Sequence, residues 1–135
     1  MFTQDYLMRM ILELAGAIRK SLLMSDDDDD PMAAAQLLEA SLDGATEMDS
    51  SLLLSLEPES LSAMLEMSAA DPSLMTYVSR MLLLESRYLE TAQSHSTAKL
   101  RHDQAFAVAQ AFGIPLDEED VEPVHLKSFL DETAV

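Results

Sequence analysis

The chain has 135 residues rich in Leu, Ala, Met and Glu, with only 3 glycines, 5 prolines and no cysteine. Hydrophobic residues make up 48% of it, which excludes a disordered chain, and the missing thiols exclude a disulfide framework, a thiolate metal site and a cysteine nucleophile. The formal net charge of −17 repels phosphate, so neither nucleic acid nor an anionic membrane is expected as a partner.

The length suits one domain over residues 1–135 with a core of its own. The absence of thiols agrees with a cytoplasmic location. The charge is uneven. Residues 25–75 carry thirteen acids and no Lys or Arg, and residues 113–135 carry seven acids against Lys127. High solubility is one plain consequence of such a charge.

The first segment, MFTQDYLMRMILELAGAIRKSLLM, reads as a helix from Gln4 to about Met24, capped by Thr3. Asp5, Arg9, Glu13 and Lys20 fall mostly four apart on a narrow polar stripe, and Asp5–Arg9 has the spacing of a favourable ion pair. Tyr6, Leu7, Met8, Met10, Ile11, Leu12, Leu14, Ala15, Ile18, Leu22 and Leu23 fill the rest. The charges interrupt any apolar run, so the segment is neither a signal peptide nor a membrane span. A helix so widely apolar is central in its own domain or covered by a second chain. The acidic middle of the chain is short of apolar residues to wrap it. A homodimer through this helix is therefore expected, with Leu7, Met8, Arg9, Ile11, Leu14 and Ile18 as the candidate interface.

The run SDDDDDP follows. As a calcium loop starting at Asp26 it would place Pro31 where glycine is required and Leu37 where glutamate is required, so that reading fails. Residues 25–30 read instead as a self-repelling acidic loop. Asp30 caps the next helix, Pro31 opens it, and the neighbouring negative charges favour its positive end. That helix carries Ala34, Leu37, Leu38 and Leu42 and is expected to stop at Gly44. A short apolar segment spans Asp49 to Leu56. Pro58 opens a helix expected to bury Leu61, Met64 and Leu65.

Asp71 and Pro72 start a helix of about six turns, with Leu74, Tyr77, Val78, Met81, Leu82, Leu89 and Ala92 at helical spacing. Ser94 to Thr97 reads as a turn. The next helix turns Ala98, Ala105, Phe106, Ala109 and Phe112 inward and stops at Gly113. An acidic linker over 114–122 leads to Pro123 and a short last helix with Leu126, Phe129 and Leu130. No stretch alternates as a strand does. The fold class is all-α, an antiparallel bundle of five to seven helices.

The pair over 72–113 compares with a degenerate tetratricopeptide repeat. Ser86, Ala98 and Ala105 take small positions and Leu89 a large one, with Phe106 following. Leu82 stands where the opening aromatic is usual, His102 where a later one is, and the terminal proline is missing. A generic helix pair explains the same spacing. The opening MFTQDYLMRMI, with Met1, Phe2, Asp5, Tyr6, Arg9 and Ile11, resembles that of a bacterial family of small helical proteins of unknown function, often labelled tetratricopeptide-like from their C-terminal helix pair. The resemblance implies a helical fold and supplies no activity, ligand or catalytic residue.

Candidate catalytic groups are few. His95 and His102 are seven apart, with Asp103 beside the second, but a zinc site needs a third ligand and none falls at helical spacing. No phosphate-binding glycine loop or nucleophile elbow occurs. The 10 methionines are spread over several helices and read as core packing, though methionine also suits adaptable binding surfaces. The expected function is a non-catalytic protein–protein interaction module without a cofactor. The alternative is a helical scaffold that binds a small apolar ligand in an interhelical cavity.

Overall fold

The computed structural model of the chain describes residues 2–46 and 48–133, with side chains over 5–46 and 48–132. They form seven α-helices: α1 (Phe2–Asp26), α2 (Pro31–Thr46), α3 (Ser50–Leu54), α4 (Pro58–Met67), α5 (Pro72–Thr91), α6 (His95–Ala111) and α7 (Pro123–Thr133). A 3-10 turn covers Glu118–Val121, and no strand occurs among the described residues. None of these helices is long and apolar enough to cross a membrane.

The starts follow local chemistry. Asp30 accepts from the Ala33 N–H at 3.1 Å with its carboxylate and from the Ala34 N–H at 3.1 Å with its carbonyl, so α2 is capped as expected. Asp49 caps α3 through Ser51 and Asp71 caps α5 through Ser73. Pro31, Pro58, Pro72 and Pro123 each open a helix, where the missing N–H costs nothing. The helix before the aspartates is longer than expected. It includes Thr3, which therefore is not its cap, and runs to Asp26, leaving 27–30 as the loop. Thr3's side chain and all of Met1 lie outside the described residues.

Other boundaries differ too. Gly44 does not stop α2, which runs on to Thr46, whose hydroxyl bonds back to the Leu42 carbonyl at 2.8 Å. The turn between α5 and α6 is only Ala92–Ser94, so Ser96 and Thr97 are helical. The acidic linker carries the 3-10 turn, with Val121 buried beneath it. Met64 is 42% exposed, not buried.

The centre of the molecule is α5, not α1. Twelve of the twenty residues of α5 are buried, on every side of the helix. Ser79 and Ser86 are among them, and small side chains let neighbouring helices come close. Helix α6 packs against α5, α2 lies on another side of it, and α1 pairs with α2 while touching α5 and α7. One core cluster runs from Met10 to Leu130. The Ser21 hydroxyl donates to the Ile18 carbonyl at 2.8 Å, so Tyr88 donates to Ser21 at 2.9 Å and joins α5 to α1. Burial raises the Tyr88 phenol to about 12.

Four turns reverse through the left-handed region, and only one uses glycine. Gly113 has φ +66° and closes α6 with the Ile114 N–H on the Ala109 carbonyl at 2.8 Å. Asp29 (φ 52°), Ala69 (φ 58°) and Gln93 (φ 66°) do the same after α1, α4 and α5. A Cβ in this region costs about 1–2 kcal/mol. Ala69→Gly should therefore raise stability by roughly 0.5–1 kcal/mol, after the extra freedom of glycine in the unfolded chain is deducted. Urea unfolding checks this, and an unchanged or lower midpoint contradicts it.

Candidate functional site

The expected α1 interface divides. Leu14 and Ile18 have no exposed surface and Ile11 is 7% exposed, so these three belong to the chain's own core and present nothing to a second chain. Leu7 is half-buried. Met8 and Arg9 stand on the outer face beside Leu12 and Leu23, which are also exposed. The Arg9 guanidinium sits 6.0 Å from the centre of the Tyr6 ring, and among the described residues no ion pair joins it to Asp5. The core takes only one face of α1 because α2, α5 and α7 all pack against it and leave its outer face uncovered.

A polar cluster that the sequence reading did not single out lies where α2, α3, α5 and α6 meet. Arg101 of α6 is 6% exposed. It donates from Nε to Glu85 Oε2 at 2.9 Å, from Nη2 to Glu39 Oε2 at 3.1 Å, and from Nη1 to the Leu54 carbonyl at 2.9 Å and Gln104 Oε1 at 3.3 Å. Gln104, fully buried one turn on, donates from Nε2 to the carbonyls of Leu54 at 3.1 Å and Leu56 at 2.8 Å. Helix α3 is five residues long; the N–H groups of Ser55 and Leu56 take the carbonyls of Leu52 and Leu53, and the backbone offers no such bond to that of Leu54. Arg101 and Gln104 take that place, and the guanidinium charge suits the negative end of the helix. One signal was available. Arg101 falls on the same stripe as Ala98, Ala105 and Val108, all of them buried.

Glu85 is fully buried, and burial pushes its carboxyl up to about 9 against the opposing pull of Arg101; Glu39 within hydrogen-bond reach pushes the same way. Its Oε1 has no donor aimed at it. A neutral Glu85 accounts for this, since a protonated carboxyl needs fewer donors than a carboxylate does, and Glu39 lies within its hydrogen-bond reach. For Glu39, its own half-burial works against ionisation, but the hydrogen bonds from Glu85 and Arg101 win and hold its carboxyl below the ordinary range. The two carboxyls thus share one proton and one guanidinium. Glu39 is partly exposed, so the pair has one side open to solvent. Glu85 itself offers no surface to a substrate.

The histidines turn to separate partners. His95 opens α6 and bonds Glu90 at 2.6 Å. His102 Nε2 meets Glu118 at 2.5 Å and Nδ1 meets Asp103 at 3.3 Å, while its ring lies 4.9 Å from that of Phe106. Glu118, more than burial, sets the balance and raises the His102 imidazole, whereas Glu118 and Asp103 are lowered by their hydrogen-bonded cations. These are the shifts of exposed ion pairs. The His102 contribution is full below the ordinary histidine value and fades as pH rises through the raised one. Among the described residues no group of three or more His, Asp or Glu is placed to hold a metal ion.

A cavity of about 220 Å³ opens between α1, the end of α2, the end of α4 and α5, lined by Leu7, Met10, Ala45, Leu65, Leu74 and Met75 among others. Its polar rim is already engaged. Thr46 bonds the Leu42 carbonyl, Ser68 the Leu65 carbonyl, and Asp71 the Ser73 N–H. Comparison of the chain with protein-family models, with curated proteins and with solved structures finds no match.

Proposed function

We propose that the chain is a non-catalytic protein–protein interaction module of the cytoplasm that pairs with a second copy of itself through the outer face of α1. The observation that carries this is the apolar residue left on that face. Met8, Leu12 and Leu23 are exposed in line with Asp5, Arg9, Glu13 and Lys20. The stripe is self-complementary. In an antiparallel two-fold pair centred between Leu12 and Glu13, Asp5 of one copy lies opposite Lys20 of the other, and Met8 opposite Ala17. The four charges on it, two of each sign, cancel, unlike those elsewhere on this acidic chain.

The tetratricopeptide-like character of α5 and α6 is part of the same reading. Leu82, Ser86, Leu89, Ala98 and Ala105 are all buried at that pair, which supports it, and the resemblance of the N-terminal stretch points the same way. The second reading, a small apolar ligand in the cavity beside Met10 and Met75, is favoured by the size of that cavity and opposed by its engaged polar rim.

Sedimentation velocity at micromolar concentration tests the pairing. The native chain should run as a dimer, and Leu12→Glu should weaken association at least about tenfold, ~1.4 kcal/mol. Leu12 is exposed, so the helical signal and the unfolding midpoint of the separated chain should stay as they are. A native chain that remains monomeric throughout overturns the reading.

A further inference from the structure

We propose that the groove between α3 and α4 is a docking site for a basic amphipathic helix of a partner protein. This rests on the interaction-module reading and names the partner's chemistry. The groove holds about 410 Å³ and is lined by Met48, Leu52, Leu53, Leu56 and Met64, with Asp49 at its edge. Leu52 is 67% exposed, and Met67, one turn beyond Met64, is 87% exposed. Large apolar side chains this open, gathered on one short helix and its neighbour, are what a protein surface keeps for contact. Methionine is flexible and polarisable and adapts to different apolar partners.

The groove is preformed. Arg101 and Gln104 hold the carbonyls of Leu54 and Leu56, so the α3 wall is fixed from beneath by buried hydrogen bonds. An amphipathic helix laid into it would place side chains at i, i+3 or i+4, and i+7 against the apolar floor.

Charge decides which helix. Residues 48–67 carry Asp49, Glu57, Glu59 and Glu66, all exposed, and no Lys or Arg. Two copies meeting face to face here would set acids against acids, so a two-fold contact at this groove is disfavoured. Another face of a second copy has little positive charge to offer. Arg19, Arg80, Arg87, Lys99 and Arg101 are already paired with acids of their own chain, and the remaining Arg9, Lys20 and Lys127 are distributed over α1 and α7. The complement to Asp49 at the groove's edge and to the acidic segment around it has to come from a different protein, with Lys or Arg flanking its apolar stripe.

The test uses the full chain and a fluorescent Leu/Lys peptide of about 18 residues, patterned so that its leucines form one helical face. Anisotropy is followed at low and at physiological salt. A Leu/Glu peptide of the same pattern and a Leu/Lys peptide with the leucines scattered are the comparisons. Binding of the first peptide alone is expected. Leu52→Glu and Met64→Glu, both at exposed positions, should each weaken it at least about tenfold. These variants add negative charge, so attraction by charge alone would grow stronger in them. Equal or tighter binding by the variants, equal binding of the scattered peptide, or no binding at all overturns the proposal. Sedimentation of the same variants separates it from the α1 pairing. If pairing persists while the peptide fails, the groove proposal falls and the module reading stands. If Leu52→Glu abolishes pairing, the groove's occupant is a second copy and the proposal is wrong.

Discussion

Arg101→Met is expected to destabilise the fold by about 3–5 kcal/mol, because it leaves buried acceptors facing one another without their shared cation. Glu85 Oε2 would lose its only donor, at 2.9 Å, and Glu39 the partner that holds it ionised at the edge of the core. The Leu54 carbonyl would keep Gln104 and lose the guanidinium. Methionine matches the length of the arginine stem, so the loss is electrostatic more than one of volume. A double-mutant cycle locates it. In a Glu85→Gln background the same replacement should cost less, because a neutral amide tolerates the missing charge better than a carboxyl does. Urea denaturation measures both steps, and an Arg101→Met midpoint close to the native one would show that the cluster contributes little.

The second large effect is that of pH, and Glu85→Gln reveals it. Glu85 is raised from an ordinary 4.5 to about 9 in the fold, burial being the main cause. Between those values the folded chain holds a proton that the unfolded chain has released. Stability from this group is thus full below the ordinary value and is lost as pH rises toward the folded one. Glu39 is shifted down, so its contribution is present above the ordinary value and lost as pH falls through the lowered one. Stability should therefore peak on the acid side of neutrality. The net charge of −17 pushes the same way, since self-repulsion grows as carboxyls ionise. Glutamine copies the shape and hydrogen bonding of a neutral Glu85, with its oxygen toward Arg101 and its amide toward Glu39. It has no proton to lose. Glu85→Gln should flatten the fall between about pH 5 and pH 9 and gain on the order of a few kcal/mol at the alkaline end. Thermal unfolding across that range decides it. Parallel curves for the two proteins would mean that Glu85 is ionised in the fold.

The helices were legible because their starts are written in short-range chemistry. Asp30 before Pro31, Asp71 before Pro72 and Gly113 after Phe112 act within a few residues, and each behaves as read. Gly44 misled because an isolated glycine marks a stop only where the backbone turns left-handed, and at Gly44 it does not. Which helix is central was not legible. Helix α1 shows more large apolar residues than its position uses, while α5 is enclosed although it carries Ser79, Glu85 and Ser86. Helical spacing reports one helix at a time. The Arg101 cluster joins residues 16 and 62 apart in sequence, and no period links them. Taken one at a time, Glu39, Glu85, Arg101 and Gln104 carry nothing in the sequence to say that they meet. Only the place of Arg101 between Ala98 and Ala105 hinted otherwise.

Gln93 has a further consequence for the chain as a polymer. It turns α5 into α6 at φ 66°, and between Thr91 and Ser96 there is neither glycine nor proline. Nothing local forbids an unbroken helix from Pro72 to Ala111, a rod of 40 residues and roughly 60 Å. The bend is held by what α6 meets on its inner side, the packing of Ala98, Ala105 and Val108 together with the grip of Arg101 on Glu85 and Glu39. Straightening would relieve the strained residue and leave α6 free to dock on α5 of a neighbouring chain, re-forming every bond in exchange. Such an exchange would depend on concentration, and the strain at Gln93 in the bent form would favour it. Gln93→Gly should make the trade rarer and Gln93→Ala should not.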